Sequence, residues 1–508
     1  MAGDRERVFR GGVFLALLAL LLSGCATTTA PPPPTPYPTA SSLPTAGPTP
    51  TPAPSPPTQT PISSPRPTRT PTPTRTPTPT PSFPAAAAVP AGWPALPADL
   101  YFLRDGHLWR WPAAGGELQH IAGDSLVAYR GTPDGRRVVY LTAEGRYYLL
   151  DEGGPGPQLL PTTGRPLVYY TTRGNILNPD LNDLLRLDQF ALAPDGRYLV
   201  YIAWGADAPP TTVEPAAPAS TPATQVRGTL YAWDLDGGEQ TELGLCTDEG
   251  GLGTTACEGL LLSPDGTQVA YADAVGLWVA QVPAGDHRLL AAHIEPGGSP
   301  YSRIMLPHAW SPNARWLLAR VAHYEGYGLA MIDVRRGTMQ DLPDAFCYVG
   351  CYIEGSWAGD TLTVATIGIS ATLYLAQPAE GGKLTVQRLL SPEQVLAYTP
   401  RSVYLRPDSR LAFAHFRDAQ APESPAGIYA LAVDGSLEEI APLPEESDYC
   451  RDGDCGTPRV LWAPAGSAFL YLDMEADPAL LGLPSSSVLW DVRDLLRGAY
   501  GFRWGSAR

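Results

Sequence analysis

The stretch Leu260–Val282, LLLSPDGTQVAYADAVGLWVAQV, decides the reading of the fold. An apolar run enters the turn Ser263-Pro264-Asp265-Gly266, a second apolar run leaves it, and a third follows after a few small residues. Proline presets φ at the first turn position, Asp or Asn bonds back to the backbone, and Gly tolerates positive φ. The stretch therefore reads as a tight turn between antiparallel strands.

The same pattern recurs. The turns are Thr132-Pro133-Asp134-Gly135, Ala193-Pro194-Asp195-Gly196, Ser263-Pro264-Asp265-Gly266, Ser311-Pro312-Asn313-Ala314, Trp357-Ala358-Gly359-Asp360, Arg406-Pro407-Asp408-Ser409 and Ala463-Pro464-Ala465-Gly466. One turn is weak evidence; seven, each followed by a short apolar run such as RRVVYL, RYLVYIA or SAFLYL, are strong evidence of a repeat. Each unit continues into further short runs, for example GTLYAWDLDGG then EQTELG. With the run before the turn, each unit has four strands. Four antiparallel strands repeated in this way make one blade of a β-propeller, so the fold class is all-β. No amphipathic helical pattern of useful length appears; the nearest is Asn178–Phe190.

Trp310-Ser311-Pro312, Trp357-Ala358, Trp462-Ala463-Pro464 and the Pro-Asp-Gly turns resemble the W-S-P-D-G repeats of TolB-like propellers. The resemblance spans residues 93–508, and counting turns and strands along it gives eight or seven blades. Asp99–Ala122 supplies three strands before the first turn, and SVLWDVRDL and AYGFRW follow the last. A degenerate turn at Gly92–Asp99 would complete eight blades of about 52 residues, the preferred count over seven of about 59.

The N-terminus reads as an address. Arg5, Arg7 and Arg10 precede an apolar run, Val13–Leu22, too short to span a bilayer comfortably. Leu22-Ser23-Gly24-Cys25 follows directly and resembles the lipobox of bacterial lipoproteins. The resemblance implies that residues 1–24 are a signal peptide and that Cys25 carries the lipid. A chain so processed is anchored to a membrane on the extracytoplasmic side of the cell envelope. Residues 25–92 are Pro/Thr/Ser-rich and offer almost nothing apolar to bury, which is the composition of a disordered tether. Its proline density favours polyproline II, with O-glycosylation as an optional addition.

The net charge of −16 argues against nucleic-acid binding, which needs a basic surface. No hydrolase, zinc-protease, P-loop or dinucleotide motif is present, and no cofactor or metal is expected. Prolyl oligopeptidases also carry propellers, but no second, hydrolase-sized stretch accompanies this one.

Six cysteines remain besides Cys25, in three local pairs: Cys246 with Cys257, Cys347 with Cys351, and Cys450 with Cys455. An oxidising compartment favours disulfides over metal ligation here. All three pairs fall on the connection from the outer strand of one blade to the inner strand of the next. Strand alternation puts that connection on the same face as the turn between strands two and three, opposite the Pro-Asp-Gly turns. The long segments also fall there, so binding is expected on that face. Aligned ends of the second strands suggest a polar ring of Thr142, Asp273, Arg320, Thr366, His415 and Asp473, of which Asp273, Arg320, His415 and Asp473 are the candidate ligand-binding residues. The alternative for these positions is ordinary strand ends. Asp452 and Asp454 lack the full oxygen-ligand spacing of a calcium loop.

The expectation is a monomeric scaffold that binds a protein, peptide or glycan. The alternative is an extracytoplasmic enzyme of the polysaccharide lyase or hydrolase type acting at the channel mouth, with an envelope-assembly subunit as a third reading.

Overall fold

A computed structural model describes residues 89, 90, 93, 95–123, 125–166, 190–204, 227–247, 258–294, 303–323, 326–348, 352–367, 371–379, 383–408, 410–416, 425–432, 434–443, 459–473, 478–484 and 488–505. All belong to one unit, Thr80–Arg508. Cys25, the tether up to residue 88, the segment Asn178–Gln189, and Cys257, Cys351, Cys450 and Cys455 lie outside the described residues.

The unit is an eight-bladed propeller of antiparallel sheets. In chain order within each blade, from inner to outer strand, blade 2 is Leu126–Gly131, Arg137–Thr142, Tyr147–Asp151 and Gln158–Leu159. Blade 3 is Phe190–Leu192, Tyr198–Trp204, Arg227–Asp234 and Gln240–Thr247, with Arg165–Pro166 extending its inner edge. Blade 4 is Glu258–Leu262, Gln268–Ala272, Gly276–Gln281 and His287–Ala292; blade 5 is Ile304–Trp310, Trp316–His323, Gly326–Asp333 and Thr338–Tyr348. Blade 6 is Tyr352–Ala358, Thr361–Ile367, Thr372–Pro378 and Leu384–Arg388; blade 7 is Arg401–Leu405, Leu411–His415, Gly427–Leu431 and Leu437–Pro442. Blade 8 is Arg459–Trp462, Phe469–Leu472, Pro478–Leu483 and Val488–Asp491.

Blade 1 is built from both ends of the unit. Its second to fourth strands are Leu100–Arg104, His107–Trp111 and Gln119–Ala122, and its inner strand is Ala499–Trp504. The expected degenerate turn at Gly92–Asp99 is therefore corrected. The eighth blade needs no such turn because the C-terminal strand pairs antiparallel with Leu100–Arg104, Leu100 facing Trp504. Closing the ring this way covers a strand edge that would otherwise be open for pairing with another chain.

The cores lie between blades. Each side of a blade packs on a neighbour, so strands carry apolar residues at successive positions rather than alternating ones. In Arg137–Thr142, Val138 and Tyr140 join the cluster shared with blade 1, while Val139 and Leu141 join the one shared with blade 3. The same arrangement repeats at the 3/4, 4/5, 5/6, 6/7, 7/8 and 8/1 interfaces. Tryptophan adds a polar link at three of these. Trp310 Nε1 donates to the Leu261 carbonyl at 2.9 Å, Trp462 Nε1 to Ser402 at 2.5 Å and Trp504 Nε1 to Leu461 at 3.1 Å. Each bond reaches from an inner strand to the inner strand of the preceding blade, which gives the tryptophan of the repeat a structural task.

The short turns form one face. In blade 4 the Gly266 amide donates to the Ser263 carbonyl at 2.8 Å, with Gly266 at φ 71°. Ser263 Oγ donates to Asp265 Oδ1 at 2.6 Å and accepts from the Gln268 amide at 2.9 Å. Thr132 with Asp134 in blade 2 and Ser311 with Asn313 in blade 5 repeat these bonds. A departure in sequence keeps the geometry in blade 5, since Ala314 stands at φ 55° where the turns of blades 2, 3, 4 and 8 have Gly135, Gly196, Gly266 and Gly466.

Candidate binding face

The face opposite the short turns receives the turns between strands two and three and the links from outer to inner strands. Its described parts include the turn Asp273–Val275, the link beginning at His293, and a helix, Pro392–Tyr398, between blades 6 and 7. The helix is missed by a search for long amphipathic patterns. Its signal is local: Ser391 accepts from the Gln394 amide, Gln394 accepts from the Ser391 amide, and a proline sits at the first helical positions.

Strand pairing decides the proposed ring. Leu262 faces Val269 in blade 4, and Asp273 lies four residues on. By the same count Thr142, Thr366, His415 and Asp473 are equivalent. Arg320 is not. Trp310 faces Leu317, so the equivalent residue in blade 5 is Val321, and a slip of one residue turns a side chain to the other side of its sheet. In blade 1 the position falls to Arg104, which the sequence reading omits.

The ring positions are also largely buried rather than aimed at solvent. Thr142 accepts from the Arg146 amide at 3.3 Å and caps its own turn. Asp273, 6% exposed, accepts from the amides of Val275 at 2.9 Å and Gly276 at 3.2 Å and from Trp278 Nε1 at 2.8 Å. Thr366 and His415 are fully buried, and His415 Nδ1 lies 3.1 Å from Thr399 Oγ1 between the rings of Tyr398 and Tyr429. Arg320 lies with its guanidinium 4.6 Å from the Tyr327 ring centre. Arg104 and Asp473 are half-buried; Arg104 donates to the Leu495 carbonyl at 3.1 Å and covers Trp109 at 4.6 Å. The alignment thus marks a structural position, with only Arg104 and Asp473 near the surface.

No family model matches the chain, and no curated protein matches it. Among solved structures it is similar to an oligogalacturonate lyase in complex with manganese, at 13% identity over 64% of this chain and 82% of that one, TM-score 0.38. It is also similar to a putative TolB from Agrobacterium tumefaciens, at 16% identity over 49% and 78% of the two chains, TM-score 0.30. TolB from Acinetobacter baumannii matches at 13% identity over 56% and 65%, TM-score 0.30. These likenesses are of fold.

What distinguishes the faces is their exposed chemistry. Val275, Ile294, Leu396 and Tyr500 are large apolar side chains, each more than 40% exposed, at the loop-bearing end. Val275 lies in a turn between strands two and three, Ile294 and Leu396 in outer-to-inner links, and Tyr500 near the start of the inner strand of blade 1. The short turns expose Asp134, Arg136, Asp265 and Thr267 instead. Cys246 and Cys347 both sit near the loop-bearing ends of outer strands; their expected partners, Cys257 and Cys351, fall outside the described residues.

Two inner strands carry titratable side chains whose pKa burial shifts. Arg130 stacks over Phe190 at 5.0 Å; burial and the neighbouring Arg503 pull its pKa down to about 9, so it stays charged at neutral pH. On blade 5, burial, with help from Arg320, pulls His308 down to about 4 against an opposing bond to the Gly355 backbone. His308 is therefore neutral near pH 7.

Proposed function

We propose that the chain is a lipid-anchored extracytoplasmic protein whose propeller binds a protein, peptide or glycan on its loop-bearing face. The carrying observation is the asymmetry of the two faces. An exposed apolar patch marks an interaction surface: Val275 adjoins the link that carries Ile294, the His293 amide donating to the Val275 carbonyl at 2.9 Å, and Leu396 and Tyr500 are exposed at the same end on other blades. The chain enters the propeller on the other face, because Leu100 pairs with Trp504 at the short-turn end of the inner strand. The first strand of the propeller thus begins at the short-turn end, opposite the loop-bearing face.

Lipidation at Cys25 supplies the anchor in this reading, and residues 25–92 the spacer. The bonds Cys246–Cys257, Cys347–Cys351 and Cys450–Cys455 staple the loops that present the surface, each limiting unfolded freedom by about 2–3 kcal/mol in the chain-entropy model. In this reading the propeller works as a monomer. Palmitate labelling of wild type and Cys25→Ala, with membrane fractionation, tests the anchor; equal labelling of both removes it. Binding is tested on intact cells with wild type, Val275→Asp and Leu396→Asp. Partner recovery should fall at least about tenfold in the double variant, the cost of about 1.4 kcal/mol. Equal recovery by a correctly folded double variant removes the loop-bearing face as the binding surface.

A further inference from the structure

His107 and His120 face each other across the third and fourth strands of blade 1, with Nδ1 of His107 3.1 Å from Nε2 of His120. They are thirteen residues apart, and no sequence spacing announces them. A bulge brings them together. Leu108 pairs with Ala122 while Trp109 pairs with His120, so Ile121 is the extra residue and His120 is carried towards the diagonal neighbour His107. Trp109 lies edge-on to His120 at 5.3 Å and braces that ring. Both imidazoles are half-buried, open enough for exchange with solvent.

We propose that His107 and His120 form a two-nitrogen chelate for a divalent transition metal that favours imidazole, copper(II) or zinc. Imidazole nitrogens sit about 2.0–2.1 Å from such a metal, so nitrogens 3.1 Å apart subtend roughly 98° at it. That angle lies between the square-planar and tetrahedral values, within reach of either ion by small ring rotations. A second feature favours the reading. Gly123 flanks the nitrogens, and a Cβ there would lie 2.7 Å from His107 Nδ1 and 3.3 Å from His120 Nε2. The residue without a side chain stands where a side chain would crowd both donor atoms. Two protein ligands leave coordination positions for water or for a donor group from a bound partner. The site lies at the loop-bearing end of blade 1, since His107 follows the turn between its second and third strands.

The test is a calorimetric titration of the full-length protein with Cu²⁺ and separately with Zn²⁺, for wild type, His107→Ala, His120→Ala and Gly123→Ala. The expected result is one metal equivalent bound more tightly for Cu²⁺ than Zn²⁺, and weakened at least about tenfold by each histidine substitution. Gly123→Ala should weaken it as well while leaving both ligands in place. Copper EPR adds a readout independent of stability: nitrogen couplings from two imidazoles in wild type and one in His120→Asn. Unchanged stoichiometry and affinity in either histidine variant overturns the proposal, as does the absence of binding of either metal by wild type.

Discussion

The amide of Gly505 donates to the carbonyl of Asp99 at 2.8 Å, tying the last described residue of the chain to the one just before the first strand. One end of the unit is thus locked onto the other, and the ring closes by backbone bonds rather than by side-chain packing alone.

Removing residues 498–508 should open the ring. The deletion strips blade 1 of its inner strand and exposes Phe102 and Leu100, both fully buried. Loss of the Phe502 side chain alone is worth about 3–5 kcal/mol. The expected outcome is a melting temperature lowered by at least about 10 °C, with new binding of a hydrophobic dye. An unchanged melt would mean that the strand is not part of the closed ring.

Asp273 should behave as a turn cap. Asp273→Ala leaves two amides and the Trp278 indole without their acceptor. A buried donor left unsatisfied costs about 1–3 kcal/mol. Chemical denaturation should show that loss, with Asp273→Asn closer to wild type, while partner binding per folded molecule stays the same. A loss of binding without a loss of stability would restore Asp273 to the site.

The contrast between Asp273 and the turn it follows shows how far the sequence is legible. Pro-Asp-Gly punctuation is local chemistry, so Ser263–Gly266 announces its own geometry and its repetition announces the blades. The identity of the inner strand of blade 1 is not local: Ala499–Trp504 reads as a strand, but only a closed ring shows that it pairs with Leu100. Equivalence of strand ends is fragile for a similar reason. One residue of slip places Arg320 where Val321 belongs. Burial of His415 and the meeting of His107 with His120 depend on neighbours distant in sequence, and a bulge hides the second.

His308 should make stability fall with acid. Its folded pKa is depressed to about 4, mainly by burial, against about 6.5 for a free imidazole. Between those values the unfolded state binds more protons, so stability is full above the unfolded pKa and declines as pH falls towards the folded one. The slope from this group is at most about 1.4 kcal/mol per pH unit. His293 and His323 are shifted in the same direction by burial. Melting from pH 7 to 4.5 should therefore show a smaller decline in His308→Gln than in wild type. Parallel declines would show that His308 is protonated in the folded protein as readily as in the unfolded one.

Trp310 should hold blade 5 to blade 4 through its indole bond to Leu261. Trp310→Phe keeps most of the apolar contact and removes the donor. The expected cost is about 1–3 kcal/mol by denaturant unfolding, more than an exposed hydrogen bond would give. No change in midpoint would mean that the carbonyl of Leu261 finds water or another donor.

The assignment of binding to the loop-bearing face is tested most directly by site-specific photocrosslinking on intact cells. A photoreactive amino acid is placed at Val275 on the loop-bearing face or at Thr267 in the short turn of the same blade, both exposed. The account predicts a discrete adduct from Val275 and none from Thr267. Adducts from Thr267 alone, or equally from both positions, would contradict it.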